Sequence, residues 1–264
     1  MRETIKKFLP ERVKYNYRNF RKYRKKQQLE REYAGNEVTC NICDHQYRIF
    51  EPFKNVPNEK CTNCGSMKRH RLLFQYLNGE TELFREKKEK LKLLHFAPEK
   101  AFYDIFSKRP DIEYFPCDID PGMYKFNRNT QIYEIDITSI DFKSETFDII
   151  LCNHVLEHII DDKKAMTELF RVMKKSGWGI FQVPIAFNRE KTYEDFSKIT
   201  PEERYAAFGQ IDHVRWYGLD YPRRLESAGF KVHDIKYTHE FTEEEKFRFG
   251  FPEKESIYFC SKSS

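Results

Sequence analysis

Four cysteines stand as two pairs, Cys40-Asn41-Ile42-Cys43 and Cys61-Thr62-Asn63-Cys64, with 17 residues between the pairs. Two CxxC knuckles at this distance let four thiolates converge tetrahedrally on one Zn²⁺, with Zn–S distances of about 2.3 Å. Gly65, directly after the second knuckle, suits the tight backbone turn around a metal. All four positions would be filled by protein, so such a centre holds structure and leaves no place for an activated water. His45 and His70 flank the segment and, beside four thiols, read as ordinary surface residues.

Two further clusters carry groups able to move a proton or hold a cation. In His154-Val155-Leu156-Glu157-His158, a helix would put the imidazoles at i and i+4 on one face with Glu157. That set either chelates a divalent cation or braces a helix start as a packed acid–imidazole pair. The second cluster is Gly209-Gln210-Ile211-Asp212-His213-Val214-Arg215-Trp216-Tyr217. His213 reads either as a general base or as a structural imidazole. Arg189 and Arg215 suit a carboxylate or phosphate on an acceptor, with Tyr217 a third acceptor contact.

The elements that must position these groups follow from the alternation of short apolar runs and helical stretches after residue 91. That pattern predicts an α/β fold, a parallel sheet covered on both faces. Strands are expected at 91–97, 112–118, 130–135, 147–152, 177–184, 230–237 and 256–262, and helices at 99–108, 161–174 and 218–228. Residues 185–217 are too long for an ordinary connector and read as a substrate-recognition insertion at the strands' carboxyl ends. Upstream, a short β-like piece is expected at Tyr47-Arg48-Ile49-Phe50. A helix follows over 66–78 with Ser66 as N-cap. Residues 1–35 form a basic helical arm, in which Phe8, Leu9, Val13, Tyr17, Phe20 and Tyr23 recur at helical spacing and Pro10 favours a start near that residue. The domains are therefore the arm at 1–35, the zinc ribbon and connecting helix at 36–78, and the catalytic domain at 79–264.

Charge follows the same division. Residues 1–33 hold 12 Lys/Arg against 4 Asp/Glu, a net +8, while the rest of the chain carries 35 against 38, a net −3. The arm fits RNA phosphates, an anionic membrane surface, or simple packing across the body. No apolar run reaches the roughly 18–20 residues of a membrane span, and the N-terminus lacks the apolar core of a signal peptide, so the expected compartment is cytoplasmic. Cys117, Cys152 and Cys260 sit singly in apolar runs and are expected as buried free thiols.

Three strings in order carry a family resemblance: Phe147-Asp148-Ile149-Ile150-Leu151-Cys152-Asn153-His154-Val155-Leu156-Glu157-His158, Glu168-Leu169-Phe170-Arg171-Val172-Met173-Lys174-Lys175-Ser176-Gly177-Trp178, and Leu225-Glu226-Ser227-Ala228-Gly229-Phe230-Lys231-Val232. Residues 91–262 thereby resemble the class I S-adenosylmethionine-dependent methyltransferases with an (E/H)-V-L-E-H motif after strand four. The resemblance implies a Rossmann-like, seven-stranded doubly wound sheet and S-adenosylmethionine as cofactor, beside the zinc of the ribbon. Relatives carry an acid and a glycine-rich loop after the first strand. Here His95 stands for the acid, and Ala97, Glu99 and Ala101 for the glycines, with Glu99 placed to pair with the cofactor's amino group. Asp118 would accept the ribose hydroxyls, with Ile119 beside it and Asp120 as fallback. Asp136 would accept from the adenine amino group, Ile137 would offer an amide and an apolar face, and Asn153 would complete the cofactor set. The quinone O-methyltransferases have Glu at the position of His154 and hold a metal there, which implies a possible second divalent cation at His154, Glu157 and His158. The expected reaction is methyl transfer to a hydroxyl or carboxyl of a small-molecule acceptor, a sugar or glycan among them. Two rivals are an RNA methyltransferase that docks RNA with ribbon and arm, and a non-catalytic cofactor-binding module.

Overall fold

The structure, a computed structural model, describes residues 10–85 and 89–262, excepting the side chains at 11, 12, 14–16, 18, 19 and 22. Phe8 and Leu9 of the expected arm pattern lie outside the described residues. The chain divides into two compact units. One joins the described residues up to Thr81 to Phe241–Glu253, and the other joins Glu82–Glu240 to Lys254 onward. No helix among the described residues is long and apolar enough to cross a membrane.

In the first unit, helix α1 (Glu11–Glu32) begins after Pro10, where a missing N–H costs no helical hydrogen bond. Strands β1 (Val38–Thr39) and β2 (Gln46–Tyr47) pair antiparallel and carry the first knuckle between them, while β3 (Glu51–Phe53) and β4 (Val56–Lys60) form a second hairpin. The expected strand at 47–50 is thus confined to Tyr47 and its predecessor. Helix α2 runs over Lys68–Glu80, two residues later than predicted. Ser66 does not cap it. Met67 takes that position, its N–H donating to His70 Nδ1 at 3.2 Å, so His70 is a buried capping residue and not a surface one.

The second unit is built on strands β5 (Leu91–Phe96), β6 (Ile112–Asp118), β7 (Tyr133–Glu134), β8 (Phe147–Asn153), β9 (Met173–Gln182), β12 (Phe230–Ile235) and β13 (Ile257–Lys262). Their order is β12-β13-β9-β8-β5-β6-β7, with β13 antiparallel to both neighbours and every other pair parallel. The α/β sheet and its seven strands match the expected fold class. The third strand is much shorter than 130–135, a two-residue edge. Helices α3 (Lys100–Phe106), α4 (Asp162–Val172) and α6 (Tyr221–Ser227) stand where predicted, each slightly trimmed.

Helix α4 shows why these elements form. It buries Ala165, Met166, Leu169 and Val172, a spacing that keeps one face on the sheet. Asp161 caps it by accepting from Lys164 N at 3.0 Å. Burial of side chains the size of Leu169 contributes about 1.5–3 kcal/mol each, and Leu169→Ala would cost about 2–5 kcal/mol. Cys117, Cys152 and Cys260 lie in the same unit as buried free thiols, and burial pushes each well above the usual thiol range.

The chain runs outward from β5 to β6 and β7, then returns to β8 on the other side of β5. Neighbouring loops diverge at that switch, opening a crevice at the carboxyl ends of the strands. The 185–217 insertion leaves the same end of β9. It folds into β10 (Tyr193–Glu194), helix α5 (Pro201–Phe208) and β11 (Arg215–Trp216), with β10 and β11 paired antiparallel.

Candidate active site and cysteine cluster

In the first unit the four cysteines come together. The Sγ atoms of Cys40 and Cys64 are 3.6 Å apart and those of Cys43 and Cys61 are 3.7 Å apart. Four sulfurs at about 2.3 Å from a central ion form a tetrahedron with edges of roughly 3.8 Å, so the spacing fits zinc. Asp44 and Gly65, each just after a knuckle, adopt positive φ of 57° and 77°. Ser66 Oγ lies 3.3 Å from Cys40 Sγ and 3.2 Å from Cys64 Sγ, a role that sequence reasoning missed by making it a helix cap. Arg71 is fully buried beneath the cluster. Its guanidinium donates to the carbonyls of Ser66, Glu59, Phe249 and Gly250 at 2.7–3.0 Å and lies 3.9 Å from the Phe50 ring centre.

The crevice of the second unit is built from strand tips. His95, at the end of β5, is fully buried, with Nδ1 2.9 Å from the Tyr114 hydroxyl and Nε2 2.9 Å from Glu99 Oε2. Asn153, at the end of β8, donates to Glu99 Oε1 at 3.4 Å. Ala97 and His154 follow those two strands with φ of 47° and 55°. Left-handed backbone at non-glycine residues costs of order 1–3 kcal/mol and clusters at functional sites. Asp118 Oδ1 accepts from Asp120 N at 2.9 Å and Oδ2 from the Tyr124 hydroxyl at 2.5 Å. Asp120 accepts from Gly122 N, and Asp136 accepts from the amide and hydroxyl of Thr138, both at 2.8 Å. Ile119 is exposed. Ile137 is buried in the core, which corrects the expectation of an apolar face for adenine and leaves only its backbone. Asn153 Oδ1 is buried and, among the described residues, has no hydrogen-bond partner. An orphan acceptor at the switch point, beside Glu99 and on the same sheet end as Asp118, fits a polar ligand such as S-adenosylmethionine.

The motif after β8 is not the helix that the i, i+4 argument requires. His154 leaves the strand in the left-handed region, Leu156–His158 make a single 3₁₀ turn, and the α-helix starts only at Asp162. Glu157 is buried, with Oε1 3.4 Å from His154 Nδ1. The third ligating atom near Glu157 and His158 comes instead from His213, and the three sites lie within 4.8 Å of one another. The rings of His158 and His213 meet edge to face at 4.8 Å, while His158 Nδ1 is 3.2 Å from the Asp212 carbonyl. Two clusters 55 residues apart in sequence are therefore one site. Burial holds the His213 imidazole below its usual pKa, against the opposing charge of Glu157.

Arg215 produces this meeting and is not an acceptor contact. It is buried, and its guanidinium donates to the carbonyls of Leu156, Ile159 and Ile160 and to Glu194 Oε1 at 2.9 Å. The Val214 amide adds a 3.0 Å bond to the Glu157 carbonyl. Tyr217 is likewise buried, its hydroxyl donating to Asp162 Oδ2 at 2.7 Å. Arg189 is exposed, 5.3 Å from the Tyr193 ring centre. Among the described residues, no hydrogen bond or ion pair joins its side chain to Glu157 or His213.

Residues 100–181 match the family described as a methyltransferase domain. The stretch from α3 to β9 is therefore similar to methyltransferase domains. Its curated relatives include an uncharacterised protein of Methanocaldococcus jannaschii, 30% identical over 128 residues that make up 47% of this chain and 55% of that one. A demethylmenaquinone methyltransferase of Streptomyces avermitilis is 29% identical over 90 residues, 33% of this chain and 39% of that one. The chain thus matches about half, or less, of the length of these relatives. Among solved structures, a methyltransferase from Archaeoglobus fulgidus aligns over 74% of this chain and 91% of its own, with 14% identity and a TM-score of 0.44.

Proposed function

We propose that this chain transfers a methyl group from S-adenosylmethionine to a hydroxyl or carboxyl of a small molecule, a sugar or glycan among the candidates. The convergence of Glu157, His158 and His213 beside the strand-tip crevice carries the reading. S-adenosylmethionine, when bound, supplies a methyl group already activated on a sulfonium. The residues must then hold the acceptor in line and, for a hydroxyl, take its proton. His213, kept neutral by burial, accepts that proton, and the adjoining Glu157 carboxylate stabilises the imidazolium formed. Asp118 holds the ribose, Asp136 and the Ile137 backbone the adenine, and Glu99 and Asn153 the amino-acid end. Arg189 keeps an exposed guanidinium for an anionic acceptor. In label-transfer assays with S-adenosylmethionine and pooled sugars and glycans, His213→Ala should lower kcat by roughly 10²–10⁴ and leave cofactor affinity intact. Full activity in that variant ends the assignment.

A second reading is favoured by the ligand set itself. Two imidazoles and a carboxylate suit Zn²⁺, Mn²⁺ or Fe²⁺. The Asp212 carbonyl engages His158 Nδ1 and leaves Nε2 for a metal. Glu157 Oε2 is buried with no hydrogen-bond partner among the described residues. A cation there would orient and acidify an acceptor hydroxyl. The ribbon's cysteine cluster, on this account, holds a separate structural zinc.

A further inference from the structure

The resemblance leaves a puzzle at the first strand tip, where a buried imidazole replaces the expected acid and a glutamate replaces a glycine. The hydrogen bonds resolve it. A carboxylate only accepts, so the 2.9 Å contact pairs Glu99 Oε2 with an N–H at His95 Nε2. In the neutral ring Nδ1 is the lone-pair side, matched to the Tyr114 hydroxyl as donor. One tautomer satisfies both bonds, and Phe102 and Phe106 pack the ring edge-on at 6.3 and 6.2 Å. Asn153 holds the other carboxylate oxygen from the neighbouring strand. Glu99 is 13% exposed and held by His95 and Asn153 at the switch point of the sheet.

We propose that Tyr114 and His95 form a buried relay that sets the Glu99 carboxylate as the seat of the cofactor's α-ammonium group. This rests on the methyltransferase reading and adds a division of labour to it. Glu99 touches the ligand, whereas His95 and Tyr114 are positioning residues. The negative charge has moved one helical entry past the strand tip, from the backbone position of His95 to Glu99, and the imidazole bridges the gap. Because Glu99 takes a space that glycine leaves empty in relatives, the amino-acid end of the ligand must meet a side chain here and not bare backbone.

Calorimetry with two ligands tests the relay without turnover: S-adenosylhomocysteine, and its desamino analogue that lacks only the α-amino group. Glu99→Gln should weaken S-adenosylhomocysteine about tenfold or more and the analogue less than twofold, as loss of a charge-assisted bond requires. Tyr114→Phe keeps the ring and removes only the hydroxyl. It should weaken S-adenosylhomocysteine about threefold to tenfold, again sparing the analogue. A packing defect would weaken both ligands alike, and that result overturns the relay, as does unchanged S-adenosylhomocysteine affinity in Glu99→Gln. Should folded wild-type protein bind neither ligand, the methyltransferase reading falls first and takes the relay with it.

Discussion

The neutral imidazole of His213 and the orphan oxygen of Glu157 can serve two chemistries that one pair of measurements separates. As a metal-free base, His213 must be unprotonated to work. Burial lowers its pKa, so activity should rise with pH through a midpoint below the ~6.5 of a free imidazole and stay flat above it. Chelator should then have no effect. If the cation reading holds, dialysis against EDTA abolishes turnover and Mn²⁺ or Zn²⁺ restores it, while the zinc held by four thiolates stays in place. At the cofactor end, Asp118 already accepts one bond on each oxygen, which orients it without using up its lone pairs. Asp118→Ala should weaken S-adenosylhomocysteine at least tenfold, about 1.4 kcal/mol, by calorimetry.

At the scale of elements, Arg215 and Arg71 are, among the described residues, buried cations that hold a turn in shape. Arg215 ties the insertion to the 156–160 turn, and Asp162, Glu194 and Arg224 complete its charge network. Removing one member of such a set leaves buried charge uncompensated, so Arg215→Met should cost about 3–5 kcal/mol in denaturant melts. In the ribbon, metal analysis should find close to one zinc per chain. Cys61→Ser should destabilise that unit and leave S-adenosylhomocysteine affinity unchanged. Much of this level was legible in the sequence. Apolar alternation located the seven strands, and CxxC spacing located the cysteine cluster. What stayed hidden was long-range. An arginine in a polar run reads as an anion ligand, because nothing local reveals three carbonyls 55–59 residues away. The turn at 154–158 reads as helix because its residues tolerate one, whereas His154 takes a positive φ with its N–H donating to the Gln182 carbonyl on the neighbouring strand. Ser66 was misread for the same reason, since its partners Cys40 and Cys64 meet only in the folded ribbon, whereas His70 bonds locally to the Met67 amide.

Over the whole molecule, charge is concentrated where the arm lies. On α1, Tyr17, Phe20 and Tyr23 are exposed among Arg21, Arg24, Lys25 and Arg31. Aromatics interleaved with cations are what a single-stranded polyanion engages. An RNA-docking arm predicts that filter-binding affinity falls steeply with salt and is lost on deleting residues 1–33. No retention of RNA at roughly 100 mM salt would set that partner aside in favour of anionic vesicles.

The first compact unit is discontinuous, and this has a consequence for the order of synthesis. Two of the four carbonyls that receive Arg71 belong to Phe249 and Gly250, made 178 and 179 residues later. A nascent chain that has emitted only the ribbon and α2 carries a guanidinium without half of its acceptors. The contacts that complete that unit around Arg71 form only once Phe249 and Gly250 have left the ribosome. Only the last strand, β13, then remains to be added to the sheet. The ribbon is thus made first, yet its unit is completed only after six of the seven strands of the sheet have been made.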